Sequence, residues 1–128
     1  MSHYASAAIT ALSDAFRNRD VEAALACFAD DGTATYVGSE PGELAVGPDA
    51  LRELFGRIFE RTEAYSWATD HVWSSERGDL CLLVAELTGT VHLDAGGTEC
   101  FPYVLSGVLR VDDEMGRWLL CHGAEPTT

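Results

Sequence analysis

From Ser66 to His122 the chain reads as β almost without interruption, and this constrains the fold more than anything else in it. The segments Ser66–Ser74, Leu80–Leu93, Glu99–Val111 and Trp118–His122 hold Leu, Val, Thr and aromatic residues in strand-like runs. Short turn signals part them: Arg77-Gly78-Asp79, Asp94-Ala95-Gly96-Gly97, and Asp112 to Gly116. The Gly96-Gly97 pair suits a hairpin, because glycine takes positive φ at no steric cost. Four consecutive strands joined by tight turns pair antiparallel, and one face of their sheet must be covered.

The cover is found upstream. Ala5, Ala8, Ile9, Leu12, Ala15 and Phe16 recur at the spacing of an amphipathic helix over Tyr4–Asn18. Asp20 is placed as the N-cap of a second, short helix with Val21, Ala24, Leu25 and Phe28 on its apolar stripe. Asp30-Asp31-Gly32 turns the chain into a strand over Thr33–Val37, followed by a loop from Gly38 to Gly47. Pro48 then opens a third helix, where a missing N–H costs nothing, with Leu51, Leu54, Phe55, Ile58 and Phe59 on one side. The order helix, helix, strand, helix, four strands is α+β, with three helices packed on one face of a curved antiparallel sheet. With 128 residues, no internal repeat and no linker, residues 1–128 are expected to form a single domain.

The charge balance removes several function classes. Eight basic residues, all arginine, stand against 21 acidic ones, for a formal charge of −13. Phosphate backbones and anionic membrane surfaces need clustered cations, so neither nucleic acid nor a membrane is an expected partner. No run approaches the roughly 20 apolar residues of a membrane helix, and Met1-Ser-His-Tyr4 lacks the basic start of a signal peptide, so a cytoplasmic location is expected. Cys27, Cys81, Cys100 and Cys121 sit in apolar contexts without a C-x-x-C motif and are read as buried reduced thiols. No histidine pair has ligand spacing, so no metal is expected. Phosphate-cradling loops and G-x-S-x-G elbows are absent, and no cofactor is expected.

Phe28-Ala-Asp-Asp31-Gly-Thr33, Gly38-Ser-Glu-Pro-Gly-Glu43, Gly47-Pro-Asp-Ala-Leu51 and Gly116-Arg-Trp-Leu119 together resemble the nuclear transport factor 2-like superfamily, and within it the SnoaL-like, polyketide-cyclase-like proteins. The resemblance covers nearly the whole chain. It implies a cone-shaped fold with a pocket between helices and concave sheet, and a homodimer through the outer sheet face. The superfamily spans isomerases, cyclases, dehydratases and non-catalytic association modules, so the fold alone does not assign a function. Phe28 to Pro41 looks particularly like ketosteroid isomerase. Matching the two puts Tyr36 where that enzyme has its aspartate base, and Leu12 and about Gly107 where it has its two donors. Dienolate chemistry needs a base and paired donors, so steroid isomerisation is not expected here.

Several residues are pocket candidates. Glu86 lies mid-strand within Leu82-Leu-Val-Ala-Glu-Leu87. The isomerase comparison turns it into the cone with Val84 and Thr88, as a carboxylate for acid/base work; the alternative is an outward side chain at a dimer surface or paired with an arginine. Tyr36 and Tyr103 could orient a ligand through their hydroxyls, or be core tyrosines. His71, at period two from Trp67 and Trp73, and His122, at period two from Trp118 and Leu120, are candidate acid/base groups or plain structural histidines. Trp67, Phe55 and Phe59 are candidate apolar walls, with core packing as the alternative for the two phenylalanines. The Gly38–Gly47 loop, with Glu40 and Glu43, is expected to rim the pocket mouth. Two functions follow: a binder of a small, largely apolar molecule with cofactor-free acid/base chemistry, or an association module without turnover.

Overall fold

A computed structural model describes residues 3–112 and 115–126. Its elements are α1 (His3–Asn18), α2 (Val21–Ala26), β1 (Thr35–Val37), β2 (Leu44–Val46), α3 (Pro48–Phe59), β3 (Ala64–Arg77), β4 (Leu80–His92), β5 (Thr98–Asp112) and β6 (Met115–Ala124). The helical periodicities translate directly into burial. Ala5, Ala8, Ile9, Leu12, Ala15 and Phe16 of α1 are all buried, as are Leu51, Leu54, Phe55 and Ile58 of α3. Asp20 caps α2, its carboxylate accepting from the Ala23 N–H at 3.1 Å, and Pro48 opens α3.

One six-stranded sheet runs in the order β2-β1-β6-β5-β4-β3. The four long strands pair antiparallel, as their turns require. The sheet as a whole is mixed, because β1 runs parallel to β6, Tyr36 opposite Cys121. β2 occupies part of the segment expected to be loop. Its three residues are too few to show a period, and they add to β1 by simple antiparallel pairing. The centre of the turn before β6 lies outside the described residues.

Two β-bulges interrupt the long strands. In β3, Thr69 pairs with Leu87 and His71 with Glu86, which leaves Asp70 as the extra residue. In β6, Trp118 pairs with Leu109 and Leu120 with Val108, which leaves Leu119 extra. A bulge bends its strand, raises the local twist and exchanges the two faces beyond it. The helices cover the concave side of the bent sheet, and α1 lies across β3 and β6. Between them sit Trp118, Phe55, Ile9, Leu12, Leu54 and Leu109, each less than 2% exposed.

Phe16 ties the layers together. Its ring meets Phe55, Phe59 and Trp67 edge-on at 5.7, 5.0 and 4.8 Å, a favoured aromatic geometry. Ser13 adds a polar latch at the sheet edge. Its hydroxyl accepts from the Trp67 N–H at 2.8 Å and donates to the Trp67 carbonyl at 3.1 Å. β3 is an edge strand, and Ser13 thereby satisfies backbone groups that no neighbouring strand reaches.

Candidate functional site

A cavity of about 320 Å³ opens at one end of the concave face, between α1, α3, the segment around β1 and β2, and the ends of β3, β4 and β5. Phe16, Ile58, Trp67, Phe101 and Val91 form its apolar body. Tyr36, Tyr103, Tyr65, Glu43 and Arg61 supply polar groups. The size suits a small ring-bearing molecule, and an apolar body with a few convergent polar groups is the usual make-up of a ligand site.

Glu43 is the cavity's buried carboxylate, 8% exposed. It accepts from the Arg61 guanidinium at 2.9 Å, and its other oxygen accepts from the Glu40 N–H at 3.3 Å. Burial weighs against the charge of Arg61, but the Glu43 carboxylate outweighs it by hydrogen bond and charge, with Tyr65 adding to the effect, so Arg61 is held above its ordinary range. Gly38 makes room for this pair, since a methyl group there would overlap the Glu43 carboxylate.

The two inner tyrosines come from neighbouring parts of the sheet. Tyr36 on β1 is 3% exposed and Tyr103 on β5 is 5% exposed. Burial pushes the Tyr36 phenol well above its ordinary range, and it pushes Tyr103 up to about 12, an effect the Ser39 hydroxyl partly offsets. Both are therefore neutral hydrogen-bond donors at any physiological pH. No hydrogen-bond partner for the Tyr36 hydroxyl is found among the described residues. The Tyr103 hydroxyl lies over Gly123, and the Phe101 ring over Gly89; a side chain at either glycine would occupy the same space. The Trp67 indole N–H is buried without a partner.

Three of the expected pocket residues, Tyr36, Tyr103 and Trp67, thus meet in the cavity. Phe55 and Phe59 do not line it. Phe55 is fully buried behind the wall and Phe59 packs against Phe16, so both are core, and the wall positions are held by Phe16 and Ile58.

Glu86, His71 and His122 are on the other side of the sheet, and their assignment to the pocket is corrected. In β4, Cys81, Leu83, Ala85 and Leu87 are buried inward, while Leu82, Val84 and Glu86 are exposed outward. Glu86 stands opposite His71 on that outer face, where His71 stacks on Trp73 at 4.2 Å. The Asp70 bulge separates His71 and Trp73 from Trp67, which points inward. The Leu119 bulge likewise leaves Trp118 and Cys121 buried inside and turns Leu120 and His122 out. Cys100 departs from the expected burial and is exposed, whereas Cys121 is buried and Cys27 half-buried.

Glu43 and Arg61 are the pair that sequence reasoning did not assign to the cavity's interior. Glu43 was expected at the mouth, which Glu40 does occupy; Arg61 follows α3 without a local signal. The usable clue lay elsewhere, in the all-apolar odd positions 81–87 of β4, which fix the even positions, and so Glu86, as outward.

The comparisons agree with this architecture. The family model of the SnoaL-like domain matches residues 9–119. No curated protein matches the chain. Among solved structures, a protein of the nuclear transport factor 2-like family from Streptomyces avermitilis superposes with a TM-score of 0.78 at 19% identity, covering 98% of this chain and 96% of that one. A nuclear transport factor 2-like superfamily protein from Salmonella enterica gives 0.78 at 15% identity, with 97% and 89% covered. A ketosteroid isomerase-like protein from Erwinia carotovora gives 0.72 at 25% identity, with 98% and 95% covered. No helix among the described residues is long and apolar enough to cross a membrane. With the family model spanning most of the chain and the helices lying on a curved, open sheet, this protein belongs to the SnoaL-like domain family of the nuclear transport factor 2-like fold.

Proposed function

We propose that the protein binds a small, largely apolar, oxygen-bearing molecule in the cone cavity. The observation that carries this reading is the Tyr36 hydroxyl, which lines the cavity and has no hydrogen-bond partner among the described residues. The Trp67 indole N–H in the same wall is buried and unpaired, which is costly, and a ligand oxygen between the two groups would supply a partner. Tyr103 and Arg61 converge on the same cavity as further donors, and aromatic faces hold the apolar part. If chemistry takes place, Glu43 rather than Glu86 is the carboxylate positioned for proton transfer, with Tyr36 and Tyr103 as neutral donors to a developing oxyanion. The cytoplasm remains the compartment we favour, and the free thiols of Cys27, Cys100 and Cys121 suit its reducing conditions.

β-Naphthol, an aromatic ring carrying one hydroxyl, is a suitable probe. It should raise the melting temperature of the wild type. In Tyr36→Phe the stability without probe should change by less than about 1 kcal/mol, because no protein partner is lost, while affinity for the probe should fall by roughly three- to tenfold, the worth of one hydrogen bond. Unchanged affinity in Tyr36→Phe would remove the observation on which the reading stands.

A second reading has its own support. The outer face exposes Trp73, Leu82, Val84 and Leu120 at 51, 42, 45 and 39%. Register brings Trp73 beside Val84, and Val108 between Leu82 and Leu120. Association through this face, as a homodimer, is compatible with a ligand in the cavity on the opposite side. On its own it would make the chain an association module.

A further inference from the structure

The cavity is lined by charges of mostly one sign. Glu40, Glu43, Glu99 and Glu125 face it, against the single guanidinium of Arg61. Arg61 is met by Glu43 inside the wall. Glu40, Glu99 and Glu125 remain at the exposed mouth, and among the described residues none of the three forms an ion pair.

Behind these carboxylates the walls are aromatic: Tyr65, Trp67, Phe101 and Tyr103. Trp67 and Tyr103 lie 5.6 Å apart, and Phe101 meets Tyr103 edge-on at 5.8 Å. The face of an aromatic ring attracts a cation, and more strongly where water is excluded. A cleft lined by one sign of charge with low-dielectric walls also concentrates ions of the opposite sign. A carboxylate or phosphate entering here would meet three unneutralised acids, and could reach Arg61 only by competing with Glu43.

We propose that the cavity selects a protonated amine on an apolar, ring-sized body, the ammonium held at the mouth by Glu40, Glu99, Glu125 and the neighbouring aromatic faces, and the ring inside. This rests on the reading of the cavity as a ligand site and adds the charge of the ligand to it. The oxygen-bearing end would meet Tyr36 deeper in the cavity, so an amine that also carries a hydroxyl or carbonyl fits best.

The test compares phenethylamine, phenethyl alcohol and phenylpropionate, which share a ring and differ in charge. Affinities would be measured by ligand-detected NMR at low ionic strength and again at roughly 0.5 M salt, where screening is strong. The amine should bind about tenfold tighter than the alcohol at low salt, and the carboxylate weakest, with the amine's advantage shrinking in salt. The double variant Glu99→Gln, Glu125→Gln, both exposed positions, should reduce that advantage by at least about threefold. The control Glu53→Gln, Glu60→Gln removes the same charge from exposed positions away from the cavity lining and should leave it intact.

Alcohol binding as tight as the amine would overturn the charge selection and leave the ligand-cavity reading standing. Equal losses in both double variants would also overturn it, by tracing the preference to the general charge of the surface. Failure of all three probes overturns the amine proposal; if β-naphthol fails as well, the underlying cavity reading falls with it.

Discussion

Tyr103 and Tyr36 give up their phenolic protons only in strong alkali, because charge on either ring would sit in a buried wall. In the unfolded chain both titrate near pH 10, whereas the folded chain holds Tyr103 neutral up to about 12 and Tyr36 neutral well beyond its ordinary range. The contribution of Tyr103 is fully present below about pH 10 and is lost as pH rises through about 12, and that of Tyr36 is lost in the same direction. Melting temperature should therefore fall steeply over that window, and Tyr103→Phe should flatten the fall by an amount worth about 2 kcal/mol. Wild type and variant with the same alkaline slope would show that Tyr103 is not the buried neutral phenol described above. Neighbouring glycines matter to the same groups for a steric reason: Gly38, Gly89 and Gly123 leave the space that Glu43, Phe101 and Tyr103 fill.

At the scale of elements, the latch between α1 and β3 is the most exposed to test. Ser13→Ala would leave the Trp67 N–H and carbonyl without their partner, at a cost of about 1–3 kcal/mol in chemical denaturation, and would loosen a wall of the cavity. A loss below about 0.5 kcal/mol would mean that solvent replaces the serine and the latch holds nothing. Much of the element order was legible from the residues. The helical stripes of α1 and α3, the Asp20 cap and the four-strand run all depend on local periodicity, which the sequence carries openly. The facing of individual side chains was less legible, because a bulge changes it with one residue. Counting by two from Trp67 or from Trp118 carries the wrong face past Asp70 and Leu119, which is what makes His71 and His122 candidates for the cone. Glu86 had no bulge to blame. Val84 and Leu82 share its outward face and are themselves apolar, so the strand looked buried on both sides, as a strand that also serves an interface would. Glu43 and Arg61 meet only through tertiary folding, 18 residues apart, and no local pattern announces the pair.

At the scale of the molecule, the bent sheet gives the protein two distinct faces. The concave one holds the cavity, and the convex one presents Trp73, Leu82, Val84 and Leu120. If the convex face joins two copies, Val84→Arg should convert a dimer to a monomer in sedimentation velocity while leaving probe binding in the cavity unchanged. A wild-type monomer at all concentrations would end the homodimer proposal. Amide and indole chemical-shift mapping during titration with β-naphthol tests whether a ligand occupies the concave side. Shifts should concentrate at Tyr36, Trp67, Phe101 and Tyr103, including the Trp67 indole N–H, with His71, Glu86 and His122 unmoved. Shifts centred on Glu86 and the outer histidines, or none at saturating probe, would contradict it.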